Sequence, residues 1–142
     1  MSENTTEIAV TSTAPVSNIR AYSSIQGDDL ETRLSLFSAV TTSEPLDTVL
    51  GVALIVSNVV IQPVELLNEQ SGELEIQPRI SLVTEDGKAY HATSKTLHRD
   101  LTNLLTIAGQ PAKWGRGLEI VIKKDGAKMR QYFTIASAKA VK

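Results

Sequence analysis

The sequence predicts a β-rich domain, of all-β or α+β class. Three features carry that expectation: a long aliphatic, β-branched run from Gly51 to Leu67, and two Asp-Gly turns, Asp86–Gly87 and Asp125–Gly126, each set between alternating segments. Met1 to Asn18 is rich in Ser, Thr, Glu and Asn and has no apolar period, the composition of a disordered tail. Residues 19–142 then read as a single domain. A chain of 142 residues with 42% hydrophobic content can bury a core without staples.

The elements follow in order. Asp28 with Glu31 three residues on, and Leu30, Leu34 and Phe37 at helical spacing, predict a capped amphipathic helix ending near Val40. Gly51 to Leu67 is the long strand, and Pro63 within it marks a bulge or the point where the strand leaves the sheet. Asn68 to Gly72 is a turn. Ile76, Ile80 and Leu82 alternate with Gln77, Arg79 and Ser81, and the Asp86–Gly87 turn sends the chain back through Lys88–Thr93. Ser94 caps a second helix whose Leu97, Leu101, Leu104 and Leu105 form an apolar stripe, stopped by Gly109 and Pro111. Leu118, Ile120 and Ile122 alternate in a fourth strand, and Asp125–Gly126 turns it into a fifth, Met129 to Ala136. Five strands with a helix between the third and fourth is the order of the OB-fold, a partly open barrel, here preceded by an extra helix and a tail.

Composition narrows the function classes. The chain contains no cysteine, so disulfide frameworks and thiolate metal sites are excluded. His91 and His98 are the two histidines, with no carboxylate at metal-ligand spacing and no HExxH motif or nucleophile elbow. No catalytic residue, metal site or cofactor is therefore expected. No apolar run approaches the roughly 20 residues of a membrane helix, and no targeting segment is legible, so a soluble cytoplasmic protein without membrane partners is expected.

Charge is more informative. The net charge is −2, yet Met1 to Glu75 holds eleven acids against two bases, whereas Ile76 to Lys142 holds twelve bases against five acids. Such asymmetry points to a basic face, and basic faces meet polyanions.

Cations and aromatic rings interleave in that second half. Single-stranded nucleic acid is held by cations that track phosphates and by rings that stack on unpaired bases. Alternation puts Arg130, Tyr132 and Thr134 on one face of the last strand, and Met129, Gln131, Phe133 and Ile135 on the other. Tyr90 points with Lys88, Arg79 lies on the polar side of the second strand, and Lys123 on that of the fourth. The expected nucleic-acid-binding set is Arg79, Lys88, Tyr90, Lys123, Arg130 and Tyr132 on the sheet, with Lys113, Trp114, Arg116 and Lys128 from loops and turns. For Trp114, between two near-neighbour cations, base stacking and core packing are both open.

Several residues carry a resemblance. Gln62, Pro63, Val64 and Leu66, then Pro78, Arg79 and Leu82, Asp86, Gly87 and Tyr90, and finally Gly109, Gln110, Pro111, Trp114, Gly117 and Leu118 resemble the single-stranded DNA-binding proteins of phages and mobile elements of Gram-positive bacteria. The resemblance spans Gly51 to Ile122 and implies a cytoplasmic accessory of replication or recombination that coats single strands without sequence preference. Housekeeping bacterial single-strand binders end in an acidic tip, whereas this chain ends Ala138, Lys139, Ala140, Val141, Lys142. RNA is a further partner class, and so is a second copy of the chain. The alternative reading is a structural or protein-interaction module, such as a phage assembly component, that pairs through its sheet edges and binds no nucleic acid.

Overall fold

The computed structural model describes residues 19–126 and 131–141. The expected tail, Lys128 and Arg130 lie outside the described residues. Among the described residues seven strands form one sheet: β1 (Tyr22–Ser23), β2 (Glu44–Pro45), β3 (Ala53–Leu67), β4 (Leu74–Thr84), β5 (Ala89–Thr93), β6 (Leu118–Asp125) and β7 (Tyr132–Ala140). Two helices accompany them, α1 (Leu30–Thr41) before β2 and α2 (Lys95–Ala108) between β5 and β6. The sheet runs β2-β5-β4-β3-β6-β7, with β1 pairing β3.

β3 organises this half-barrel. Its first residues, Ala53 to Val56, pair with β6, and the stretch from Val56 to Leu67 pairs with β4. An irregularity between Val56 and Asn58 lies where one partnership gives way to the other, so the bend falls there and not at Pro63. Pro63 stands opposite Pro78 in the ladder. Pro78 turns its carbonyl to the opposite side, where Ser94 N donates to it at 3.2 Å. The two prolines thus share a non-hydrogen-bonded position and cost the β3–β4 ladder nothing.

The β4–β5 turn closes with Thr84 N donating to Lys88 O at 2.8 Å, with Gly87 at φ +88° taking the left-handed conformation that the turn needs. β7 runs on to Ala140, beyond the expected end at Ala136.

Alternation sends Leu54, Val56, Val59, Ile61, Ile80, Leu82, Tyr90, Ala92, Leu118, Ile120 and Ile122 into one core, joined by Leu97 and Leu101 of α2. β5 and β7 are not paired to each other, and α2 spans the gap. Thr96 Oγ1 donates to Phe133 O at 2.8 Å, and Ile135 N donates to Asp100 Oδ2 at 3.1 Å. Helix side chains thereby satisfy edge groups of β7 that would otherwise lack a ladder partner.

The architecture is β-rich and consistent with an OB-like fold, and it departs from the five-strand expectation in detail. β1 and β2 are two-residue strands with too little pattern to read. α1 is capped by Asp29, whose carboxylate accepts from Thr32 N at 3.0 Å, not by Asp28. Its expected core stripe faces solvent: Leu30, Leu34 and Phe37 are 71%, 55% and 65% exposed. The inward positions are Leu36, Ala39 and Val40. The reason is tethering: Thr41 is followed three residues later by Glu44, which pairs with Tyr90, so the short connection limits how the helix can roll.

Candidate nucleic-acid interface

The expected binding residues do not share one face. Polarity puts Lys88 outside and Tyr90 with it, but the register runs the other way. Tyr90 pairs with Leu82, a core position, and Tyr90 is 9% exposed. Lys88 has the same parity and reaches water only because it leaves the turn at the barrel mouth. Arg79 pairs with Thr93 and lies on the opposite, outer side. Tyr90 is therefore a core ring and not an exposed stacking surface.

Trp114 is settled by the same geometry. It follows a 3-10 turn at Pro111–Lys113, is 7% exposed, and packs in the core cluster. Its Nε1 donates to Gly109 O at 3.0 Å, which satisfies the indole and ties the loop to the end of α2. Gly117 closes the same loop, where a Cβ would meet Val56 O at 2.5 Å with φ at +137°. Flanking cations gave no information about the ring's direction; the intervening turn did.

Two exposed groupings remain. At one end, Arg116 grips Glu85 of the β4–β5 turn through Nη2 at 2.9 and 3.2 Å and Nε at 3.3 Å, with Lys88 in the same turn and Lys113 exposed nearby in sequence. At the other, the β6–β7 hairpin carries Lys123 and Tyr132 on its outer side, Lys123 opposite Thr134 and Tyr132 opposite Asp125. Tyr132 is 40% exposed, whereas Phe133 turns inward against the core, as alternation predicts. Lys123 Nζ is 3.5 Å from Asp125 in an exposed pair, and such pairs contribute little to stability and yield readily to a phosphate.

Lys124 escapes the sequence pattern. Its ammonium sits 2.6 Å from Asp47 and 5.0 Å from the Phe133 ring centroid, so it fastens the hairpin base to the turn before β3. Lys139 meets Glu119 at 3.5 Å on the outer face, a cross-strand pair that only the register reveals.

Neither histidine adds charge near neutral pH. Burial, then the neighbouring Arg79 cation, hold His91 below the usual imidazole range against the opposing Ser43 hydrogen bond, and burial alone lowers His98. Among the described residues no group of three His, Cys, Asp or Glu could hold a metal ion, and no helix is long and apolar enough to cross a membrane.

The structure is a β-rich half-barrel consistent with an OB-like fold, with exposed cations beside the β4–β5 turn and an exposed tyrosine on the β6–β7 hairpin. Residues 16–137 match the model of the Phi29 phage single-stranded DNA-binding protein family, described as phage single-stranded DNA-binding protein, and the chain belongs to that family. No curated protein and no solved structure matches the chain.

Proposed function

We propose that this protein binds and protects single-stranded DNA, without base preference, during phage or mobile-element replication or recombination. The family match over residues 16–137 carries this reading, because it runs from before β1 into β7. Lys123 and Tyr132 supply a ring beside a cation, the combination that stacks an unpaired base while neutralising its phosphate, and Lys128 and Arg130 lie between them in the sequence. Lys88, Lys113 and Arg116 extend the cationic track, and Arg79 joins it from the outer face of β4. Tyr90 and Trp114 are buried, and this reading therefore gives the stacking role to Tyr132. The protein acts by binding and not by catalysis, in the cytoplasm of the host cell.

The test is a fluorescence-polarisation titration of the full chain with labelled poly-dT, a duplex of equal length, and RNA. Tighter binding of poly-dT than of duplex is expected, with little change among homopolymer sequences. Equal affinity for duplex and single strand contradicts the reading. RNA binding as tight as DNA binding would widen the partner class.

A further inference from the structure

The outer face of β3, β4 and β5 is built from cross-strand rows. Gln62, Arg79 and Thr93 are in register in one row, and Val60, Ser81 and His91 in the next. OB-like sheets commonly hold oligonucleotides on the face of their second and third strands, here β4 and β5. In this protein α1 lies over that face. Val60 and Ser81 are 3% and 1% exposed, and Arg79 Nη2 donates to Val40 O at 3.2 Å and to Ser43 Oγ at 3.4 Å.

Three features distinguish α1 from a helix built only to close a core. First, the surface beneath it is polar and unsatisfied: Ser81 Oγ and Arg79 Nε are buried without a hydrogen-bond partner, which is unfavourable in the covered state and rare in native interiors. Second, α1 buries only Ala39 fully, while Leu30, Leu34 and Phe37 face solvent. Its apolar anchors are few, Leu36, Ala39 and Val40, and beside them stand the Arg79 contacts and, just after the helix, a 2.9 Å hydrogen bond between Ser43 Oγ and His91 Nδ1. Third, α1 and the two residues before it carry Asp28, Asp29 and Glu31 against Arg33 alone, so the cover is acidic while the side chain beneath its last turn is a cation. A polyanion approaching this face repels the cover and attracts what it hides.

We propose that α1 is a displaceable cover, and that Arg79 and Ser81 beneath it form a subsite for the phosphodiester backbone of single-stranded DNA, opened when α1 lifts. The proposal rests on the single-strand-binding reading and specifies where part of the strand lies. A phosphate oxygen accepts charge-assisted hydrogen bonds from Arg79 and from the Ser81 hydroxyl, so both orphaned groups gain partners that the covered state denies them. Exposed Gln26, Gly27 and Asp28 precede the helix, with Gly27 at φ +149°, a place where the chain can swing.

Hydrogen exchange of the full chain, read by mass spectrometry with and without poly-dT, tests the movement. Peptides spanning Leu30 to Thr41 should exchange faster in the complex while the β6–β7 hairpin exchanges more slowly. Unchanged or slower exchange in α1, with protection elsewhere, overturns the cover and leaves DNA binding standing; no retention of poly-dT at all sinks the binding reading itself. Ser81→Ala provides a second readout. Removing an orphaned hydroxyl should leave the melting temperature of the free protein unchanged or higher, yet weaken poly-dT binding by about tenfold, the loss of one hydrogen bond to a charged group. Unchanged affinity in that variant contradicts the subsite.

Discussion

The two helices look alike in sequence and behave differently in the fold. Each has a side-chain N-cap, Asp29 for α1 and Ser94 for α2, and each carries apolar residues at helical spacing. α2 turns its stripe inward, burying Leu97 and Leu101, and is locked at its far end by the Trp114 indole on Gly109 O. α1 turns its stripe out and is held by a narrow inward edge, Leu36, Ala39 and Val40, and by the Arg79 contact at its last turn. The difference teaches that apolar period reports which face of a helix could dock, whereas the tether reports which face does. α2 bridges two strand edges with Thr96 and Asp100 and so belongs to the barrel, while α1 belongs to its surface.

The contrast is broken most forcefully by truncating matched side chains. Trp114→Ala and Leu101→Ala on the α2 side should cost about 3–5 and about 2–5 kcal/mol of unfolding free energy, whereas Phe37→Ala and Leu34→Ala on α1 should stay within about 0.5 kcal/mol. Urea denaturation of the four variants measures this directly. A loss in Phe37→Ala comparable to that in Trp114→Ala would mean that the α1 stripe is covered in solution. A smaller effect follows for the caps: Ser94→Ala should cost about 1 kcal/mol globally, while Asp29→Ala should show mainly as faster amide exchange within α1, because that helix can fray without opening the core.

The smallest effect is one of pH. Hydrogen bonds from the Thr32 side chain, and then from its backbone N–H, hold Asp29 below the usual carboxylate range. A carboxyl lowered by folding contributes stability that is complete above its unfolded value, near 3.8, and is lost as pH falls through the lower folded value. Amide exchange in α1 should therefore accelerate below about pH 4 relative to the intrinsic rate, and α2, whose Ser94 cap does not titrate, should not follow it. Parallel acceleration in both helices would remove the distinction.

Much of the barrel was legible because alternation and turn chemistry are local. Asp86–Gly87 announced its hairpin, Ser94 and the leucine stripe announced α2, and Phe133 and Tyr132 separated to opposite faces as alternation requires; the second hairpin pairs Asp125 with Tyr132, six residues on from the expected tight turn. What escaped depends on contacts distant in sequence. β1 and β2 are two residues each and exist only through their partners Ile61 and Tyr90. The direction of Tyr90 follows from its register with Leu82, and a charged neighbour at the barrel mouth gives the opposite impression. The Trp114 ring turns inward because a 3-10 turn and Gly117 aim it, a geometry that its flanking cations conceal. Of the candidate site, the β6–β7 hairpin was readable from sequence and the covering of Arg79 by α1 was not.

The central claim is that surface cations hold the phosphates of a single strand, and the salt dependence of binding measures it most directly. If about four to six of Arg79, Lys88, Lys113, Arg116, Lys123, Lys128 and Arg130 neutralise phosphates, a plot of log affinity for poly-dT against log salt should fall with a slope near −3 to −4, at about −0.7 per contact. A slope near zero would contradict the account.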